Sequence, residues 1–238
     1  MKTLDDIWAY SSQLNENYTV EEHDEDITIV RNIFKYPDLV LDFQKLLSVW
    51  ESTGSGKPGL MSLKMPWWTS VHIAEEIFDW GYDDERSESE YIYFYTGNVV
   101  KYNKDPNSIV SNQCLLPHND AEGNVNPEIL GVVNLNQRNV RTGFWSFKGE
   151  VFLDEELTKE YYEYSSDITK ETFNRRINDG TIDHLFDHEY GFNDAIFYDS
   201  RILHQPHIDE FYTRENPRIM YRVSFTLEPE DELDEDDD

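Results

Sequence analysis

Apolar positions along this chain change texture about a third of the way in. Up to residue 80 they recur at helical spacing; beyond residue 90 they gather into short runs bounded by polar turns. Residues 1–26 are polar and acidic, with Ile7, Trp8 and Tyr10 as scattered apolar points, and read as an extension or short helix packed on the body. Ile27-Thr28-Ile29-Val30 reads as a strand. Pro37 suits the first turn of a helix whose apolar residues Leu39, Val40, Phe43, Leu46, Leu47 and Trp50 form a broad buried face. Glu51 to Gly59 is a glycine-rich loop, and the next helix spans Ser70 to Trp80. Met65-Pro66-Trp67-Trp68 is an aromatic cluster better suited to core than to a pocket mouth, and Asp83 to Glu90 is a charged turn.

The second texture is that of a sheet. Tyr91 to Thr96 and Val99 to Tyr102 flank Gly97-Asn98, a hairpin signal. Ile109 to Leu116 is a further strand, and Ile129 to Asn136 a mostly apolar, central one. Arg141 to Phe147 follows, with Val151-Phe152-Leu153 extending the sheet. Asp154 to Asn178, rich in Glu, Lys and Tyr, reads as a helical insertion. Asp194 to Tyr198 and Arg218 to Leu227 are the last strands. Helices ahead of many short strands predict an α+β fold in which the helices buttress a β-sandwich or barrel.

Composition narrows this picture. At 238 residues the chain is read as one domain over 1–227, followed by an acidic, disordered tail over 228–238. A 14% aromatic content indicates a packed core. The formal net charge of −29 speaks against nucleic-acid or anionic-membrane partners, which require basic patches. The single cysteine, Cys114, excludes a disulfide framework. No apolar signal core opens the chain and no run reaches membrane-spanning length, so a cytoplasmic location is expected.

The candidate chemistry begins at Leu115-Leu116-Pro117-His118-Asn119-Asp120. On an extended backbone, side chains at i and i+2 point the same way, so His118 and Asp120 can both reach one metal ion. A distal histidine would complete a two-histidine, one-carboxylate facial triad with open positions on a ferrous ion. His204 and His207 both follow a strand and are the two candidates. Arg218 and Arg222 share a face of the last strand, and an inward arginine is costly unless it meets an anion. Other features read more plainly. His23 lies in an acidic turn, Gly54 and Gly56 lack phosphate-loop spacing, His72 faces solvent or its helix, and His184 and His188 have helical i,i+4 spacing without a third ligand nearby.

Taken in order, His118-x-Asp120, the strand ending Asn134-Leu135-Asn136, Thr142-Gly143-Phe144, Tyr198 to His204 and Arg222-Val223-Ser224 resemble the 2-oxoglutarate- and iron(II)-dependent oxygenases. The closest likeness is to the prolyl-hydroxylase-like branch and its small bacterial and phage relatives, and it runs over roughly residues 27–228. The resemblance implies a double-stranded β-helix, a jelly-roll or cupin-like barrel. It implies iron(II) held by His118, Asp120 and His204, with His207 as the substitute for the distal ligand. It further implies 2-oxoglutarate as co-substrate, anchored by Arg222 or in its place Arg218. Asn134 stands where relatives often carry a co-substrate-binding tyrosine, and Arg141-Thr142 replaces the usual Gly-Thr. The implied reaction oxidises a substrate C–H bond while 2-oxoglutarate and dioxygen become succinate and carbon dioxide. Asn119, Asp199 and Gln205 are candidates for orienting the imidazoles. Two other readings are a cupin-like barrel that binds metal or ligand without turnover, and an acidic interaction protein resting on the tail.

Overall fold

A computed structural model describes residues 2–23, 27–52, 59–66, 68–79, 91–102, 116–120, 128–166, 177, 179–207 and 215–228. The elements run α1 (Leu4–Ser11), β1 (Thr19–His23), β2 (Ile27–Arg31), α2 (Pro37–Phe43), β3 (Trp50–Ser52), β4 (Gly59–Ser62), α3 (Trp68–Phe78), β5 (Tyr91–Tyr102), β6 (Glu128–Asn134), β7 (Val140–Phe147), α4 (Glu155–Ser165), β8 (Ile182–Tyr190), β9 (Ala195–Asp199), β10 (Leu203–Pro206) and β11 (Arg218–Glu228). An eight-stranded sheet has the order β1-β2-β9-β6-β11-β5-β4-β3, and a three-stranded sheet the order β10-β7-β8. Every strand pairing within them is antiparallel. No helix among the described residues is long and apolar enough to cross a membrane.

Strand alternation sorts the side chains into layers. Ala195 and Phe197 of β9, Val133 of β6, and Tyr221, Val223 and Phe225 of β11 face Trp8, Val40, Phe43, Ile73 and Ala74 of the first three helices. Their neighbours Ile196 and Tyr198, with Leu130 and Ile29, meet Val140, Phe144 and Tyr190 of the small sheet. A third cluster lies on the other face of the small sheet, where Trp145, Phe147 and Leu203 pack with Leu116 and with Tyr161 of α4. Gly131 on β6 is required by this packing. A Cβ there would come within 2.4 Å of the Phe197 ring and 2.5 Å of Val223.

The expected α+β class is observed as two antiparallel sheets with four helices among the described residues. Three local expectations are corrected. The Gly97-Asn98 hairpin is absent: β5 runs unbroken, Gly97 opposite Val223 and Asn98 opposite Arg222. Pairing along the length of β11 outweighs the turn preference of those two residues. The helix from Pro37 ends at Phe43, because Trp50 is drawn into the β3–β4 ladder. His184 and His188 stand on β8, a strand and not a helix. Cys114, the 109–115 strand, the 83–90 turn, Gly54, Gly56, Trp67, part of the 154–178 insertion and the tail beyond Glu228 lie outside the described residues. Met65 is buried in the helix-side core and Trp68 packs against it.

Candidate metal centre

The backbone brings the two halves of the His–Asp–His group together. The His118 N–H donates to the His204 carbonyl at 2.9 Å, and the His204 N–H donates back to the His118 carbonyl at 2.8 Å. The Asp120 N–H donates to the Ser200 carbonyl at 2.9 Å. A short antiparallel bridge therefore sets the two histidines side by side, with ring centroids 4.6 Å apart. The extended Pro117–Asp120 segment turns the Asp120 carboxylate toward the same point. One ligand atom from each of His118, Asp120 and His204 lies within 4.8 Å of the others.

Each imidazole is oriented from behind by a carbonyl two residues upstream. Nδ1 of His118 is 3.1 Å from the Leu116 carbonyl, and Nδ1 of His204 is 3.1 Å from that of Ile202. A carbonyl only accepts, so Nδ1 carries the proton and the Nε2 lone pair is directed at the centre of the group. His118 Nε2 is 4.0 Å from Asp120 Oδ1, and His204 Nε2 is 3.7 Å from Asp120 Oδ2. Two donors each about 2.1 Å from one ion sit no more than about 4.2 Å apart, so each imidazole is spaced to share a cation with one oxygen of the carboxylate, His118 with Oδ1 and His204 with Oδ2. Complete burial, reinforced by His118 and Arg222, pushes the His204 pKa down to about 3 against the opposing pull of Asp120 and the Ile202 carbonyl. Its imidazole is neutral at physiological pH, the form that ligates a metal. Two imidazoles and one carboxylate suit a divalent transition metal such as iron(II).

A small cavity, partly open to solvent, adjoins this group and lies between the two sheets. Val132, Thr142, Tyr198, Met220, Arg218 and Arg222 line it alongside the candidate ligands. The two arginines have different surroundings. Arg222, at the metal end, donates through Nη2 to Asp120 Oδ2 at 3.0 Å. Arg218 is 1% exposed; its Nη2 donates to the Tyr190 hydroxyl at 3.0 Å, while Nε and Nη1 have no hydrogen-bond partner among the described residues. A buried guanidinium left so is expensive, and an anion in the cavity would offset that cost. Because arginine only donates, the Tyr190 oxygen accepts, and its own proton can go to Thr142 Oγ1 at 3.3 Å. The Thr142 hydroxyl hydrogen is then available to a ligand in the cavity.

The remaining candidates fall elsewhere. His207 Nε2 is 3.0 Å from Asp187 Oδ1, on the outer face of the small sheet, and His184 Nε2 is 2.9 Å from the same oxygen. Asn134 does not line the cavity. Its amide oxygen accepts from the Asn136 N–H at 2.9 Å and its Nδ2 donates to the Arg138 carbonyl at 2.9 Å, which holds the turn into β7. Asp199 caps Arg201 through three hydrogen bonds, and Asn119 points toward α4, so neither bonds an imidazole. His72 is exposed on α3. Sequence reasoning missed Tyr190 and the orienting carbonyls of Leu116 and Ile202. An apolar-polar reading of β8 that allowed for a bulge was the one signal pointing to Tyr190.

No protein-family model matches the chain, and no curated protein matches it. Among solved structures, HygX from Streptomyces hygroscopicus with nickel and 2-oxoglutarate bound is similar at a TM-score of 0.50 and 11% identity, over 84% of this chain and 82% of that one. The alpha-ketoglutarate-dependent carbocyclase SnoK of nogalamycin biosynthesis reaches a TM-score of 0.48 at 10% identity, over 84% and 79%. The non-heme epimerase SnoN of the same biosynthesis reaches 0.45 at 11% identity, over 84% and 77%. At this identity the likeness to HygX is one of fold.

Proposed function

We propose that this protein is a 2-oxoglutarate- and iron(II)-dependent oxygenase built on a double-stranded β-helix. The observation that carries the reading is one cavity holding both the His118–Asp120–His204 group and the buried, incompletely bonded guanidinium of Arg218. A metal group alone would suit many proteins, and a buried arginine alone would suit any anion. Side by side, they fit a ligand with a chelating end and a distant carboxylate. The shared fold with HygX supports the reading, and the finer assignment to the prolyl-hydroxylase-like branch rests on the resemblance in motif order alone.

In this reading His118, Asp120 and His204 hold the iron, and Arg218 takes the far carboxylate of 2-oxoglutarate in a bidentate grip. Thr142 donates a further hydrogen bond to that carboxylate, positioned through Tyr190. Arg222 holds the Asp120 carboxylate in place at the metal end. Val132 and Met220 give the carbon chain of the co-substrate an apolar wall, and Tyr198, whose ring centroid is 4.6 Å from that of His204, shields the imidazole from water. Iron(II) bound with the 2-oxo acid supplies oxidation of a substrate C–H bond by dioxygen, with release of succinate and carbon dioxide.

The Arg222–Asp120 contact supports a second reading, because an arginine on a carboxylate can stand where a cation would. That reading is a barrel that binds an anion at Arg218 without metal or turnover. Anaerobic titration with iron(II) and then 2-oxoglutarate separates the two. The oxygenase reading expects the weak visible charge-transfer band of an iron–2-oxo acid chelate, followed by succinate on admission of air. Binding of 2-oxoglutarate without any requirement for iron, and no succinate, would establish the second reading.

A further inference from the structure

The helix α4 lies behind the metal group and not in the cavity, yet three of its side chains end on the segment that carries two of the candidate ligands. The Tyr161 hydroxyl donates to the Pro117 carbonyl at 2.5 Å. The Tyr162 hydroxyl lies 2.9 Å from the Asn119 carbonyl and 3.1 Å from Asn119 Oδ1. Asn119 Nδ2 donates to Thr158 Oγ1 at 2.9 Å. The carbonyls before and after His118 are thus both held from one side, while the backbone of His118 itself is held from the other by His204.

The local structure makes these contacts firm. Asp154 caps α4 by accepting from the Leu157 N–H at 2.8 Å, and Glu155 and Glu156 in the first turn complement the helix dipole. Burial raises the Tyr161 pKa far above the ordinary phenol value, so its hydroxyl stays a donor. Leu116, two residues before His118, and Leu203, one before His204, pack with Tyr161, Phe147 and Ile182 in one small core. Both approaches to the metal group therefore rest on the same patch that α4 covers.

We propose that α4 is a metal-positioning element, in which Tyr161 and Tyr162 act through the Pro117 and Asn119 carbonyls to hold His118 and Asp120 at coordination geometry. The inference rests on the metal-site reading above. It assigns no contact with substrate or co-substrate to α4; these are positioning residues. Side chains that orient metal ligands from outside the coordination sphere cost about 10- to 100-fold in affinity when removed, and that is the scale expected here.

The test is anaerobic titration of the full chain with cobalt(II), reading both the dissociation constant and the visible ligand-field spectrum. The variants are Tyr162→Phe, Tyr161→Phe, His118→Ala and Tyr18→Phe, with melting temperature recorded for each. Tyr18→Phe is the control: it loses a comparable phenol-to-carbonyl bond, 2.7 Å to Glu76, far from the group. The proposal expects Tyr162→Phe to weaken cobalt binding by at least about 10-fold and to broaden or shift the spectrum, with Tyr18→Phe at wild-type affinity. Tyr161→Phe removes a buried bond and is expected to do the same with a larger fall in melting temperature. Tyr162, half-exposed, keeps the test valid should Tyr161→Phe not fold. Wild-type cobalt binding that His118→Ala abolishes, with affinity and spectrum unmoved in Tyr162→Phe, would overturn the clamp and leave the metal site standing. No cobalt binding by the wild type would overturn both.

Discussion

Among the described residues stand two groups made of the same parts: two histidines, one aspartate and an arginine. In the first, His118, Asp120 and His204 stand with imidazole nitrogens 4.0 and 3.7 Å from the carboxylate, and Arg222 binds it at 3.0 Å. In the second, His184 and His207 both reach Asp187 Oδ1, at 2.9 and 3.0 Å, with Arg141 3.6 Å from the other oxygen. The difference is spacing. At hydrogen-bond distance the carboxylate satisfies the imidazoles directly and no room is left for an ion. Held about an ångström further apart, by carbonyls on the far ring nitrogens, the same residues leave a gap of ionic size. Composition alone would not have told the two apart.

Metal binding breaks this comparison most sharply. His118→Ala, Asp120→Ala and His204→Ala should each weaken one-to-one binding of manganese(II) in calorimetry by more than the roughly 100-fold typical of a supporting residue. His184→Ala and His207→Ala should leave it at the wild-type value. A change at the outer pair equal to that at the inner pair would erase the distinction.

The arginines give the next largest effect. Arg218→Met should weaken 2-oxoglutarate binding by about 10- to 150-fold, since a charge-assisted hydrogen bond contributes about 1.5–3 kcal/mol. Apo stability should not fall, because an apolar residue replaces a buried charge that lacks a full set of partners. Melting curves with and without 2-oxoglutarate measure both at once. Loss of apo stability in Arg218→Met would mean that the guanidinium is a structural brace.

Gly143→Ala is aimed at the outer group. Its Cβ would come 2.9 Å from Asp187 Oδ1 and 3.1 Å from His207 Nε2, forcing the trio apart. Overpacking of this kind costs about 1–3 kcal/mol, and flexible side-chain ends place this case at the low end. Urea unfolding should show that loss, with manganese affinity unchanged.

The smallest effect is acid stability. Partial burial would raise the Asp187 pKa, but hydrogen bonds and charge from His184 and His207 outweigh it and hold the pKa below the ordinary carboxylate value. A depressed carboxylate contributes stability that is full above its unfolded pKa of about 3.9 and is lost as pH falls through the folded value. Asp187→Asn should therefore lose less than about 1 kcal/mol at neutral pH and show a shallower fall in stability below about pH 4. An unchanged slope there would show that the outer trio carries no electrostatic stabilisation.

How far the chain could be read follows from these same residues. His118 and Asp120 were legible because a spacing of two on an extended backbone fixes their shared direction. The alternation of β9 and β11 was legible too, and with it the inward face of Arg218 and Arg222. Which arginine lies deep was not, because that depends on Asp120 taking Arg222 from across the sheet. Strand β8 was hidden for a geometric reason. A register shift opposite Phe144 and Trp145 sets His184 against Trp145 and Phe186 against Phe144, so Leu185 is an extra residue and the alternation breaks. The four-residue gap between His184 and His188 then imitated a helix. The role of Asn134 was obscured because a side chain that organises a turn looks, in sequence, like one that faces a ligand.

The strand order also has a bearing on synthesis. β11 follows every other described strand in the sequence, yet it lies between β6 and β5 near the middle of the large sheet. While the chain emerges, those two strands have no partner on their inner edges, and open edges invite association with other chains. The delay from Asn134, the end of β6, to Arg218 is about 4–17 s at usual elongation rates of roughly 5–20 residues per second. A chain stalled before residue 218 would therefore carry this sheet in two unjoined halves, and quality control would meet two exposed edges on every such product.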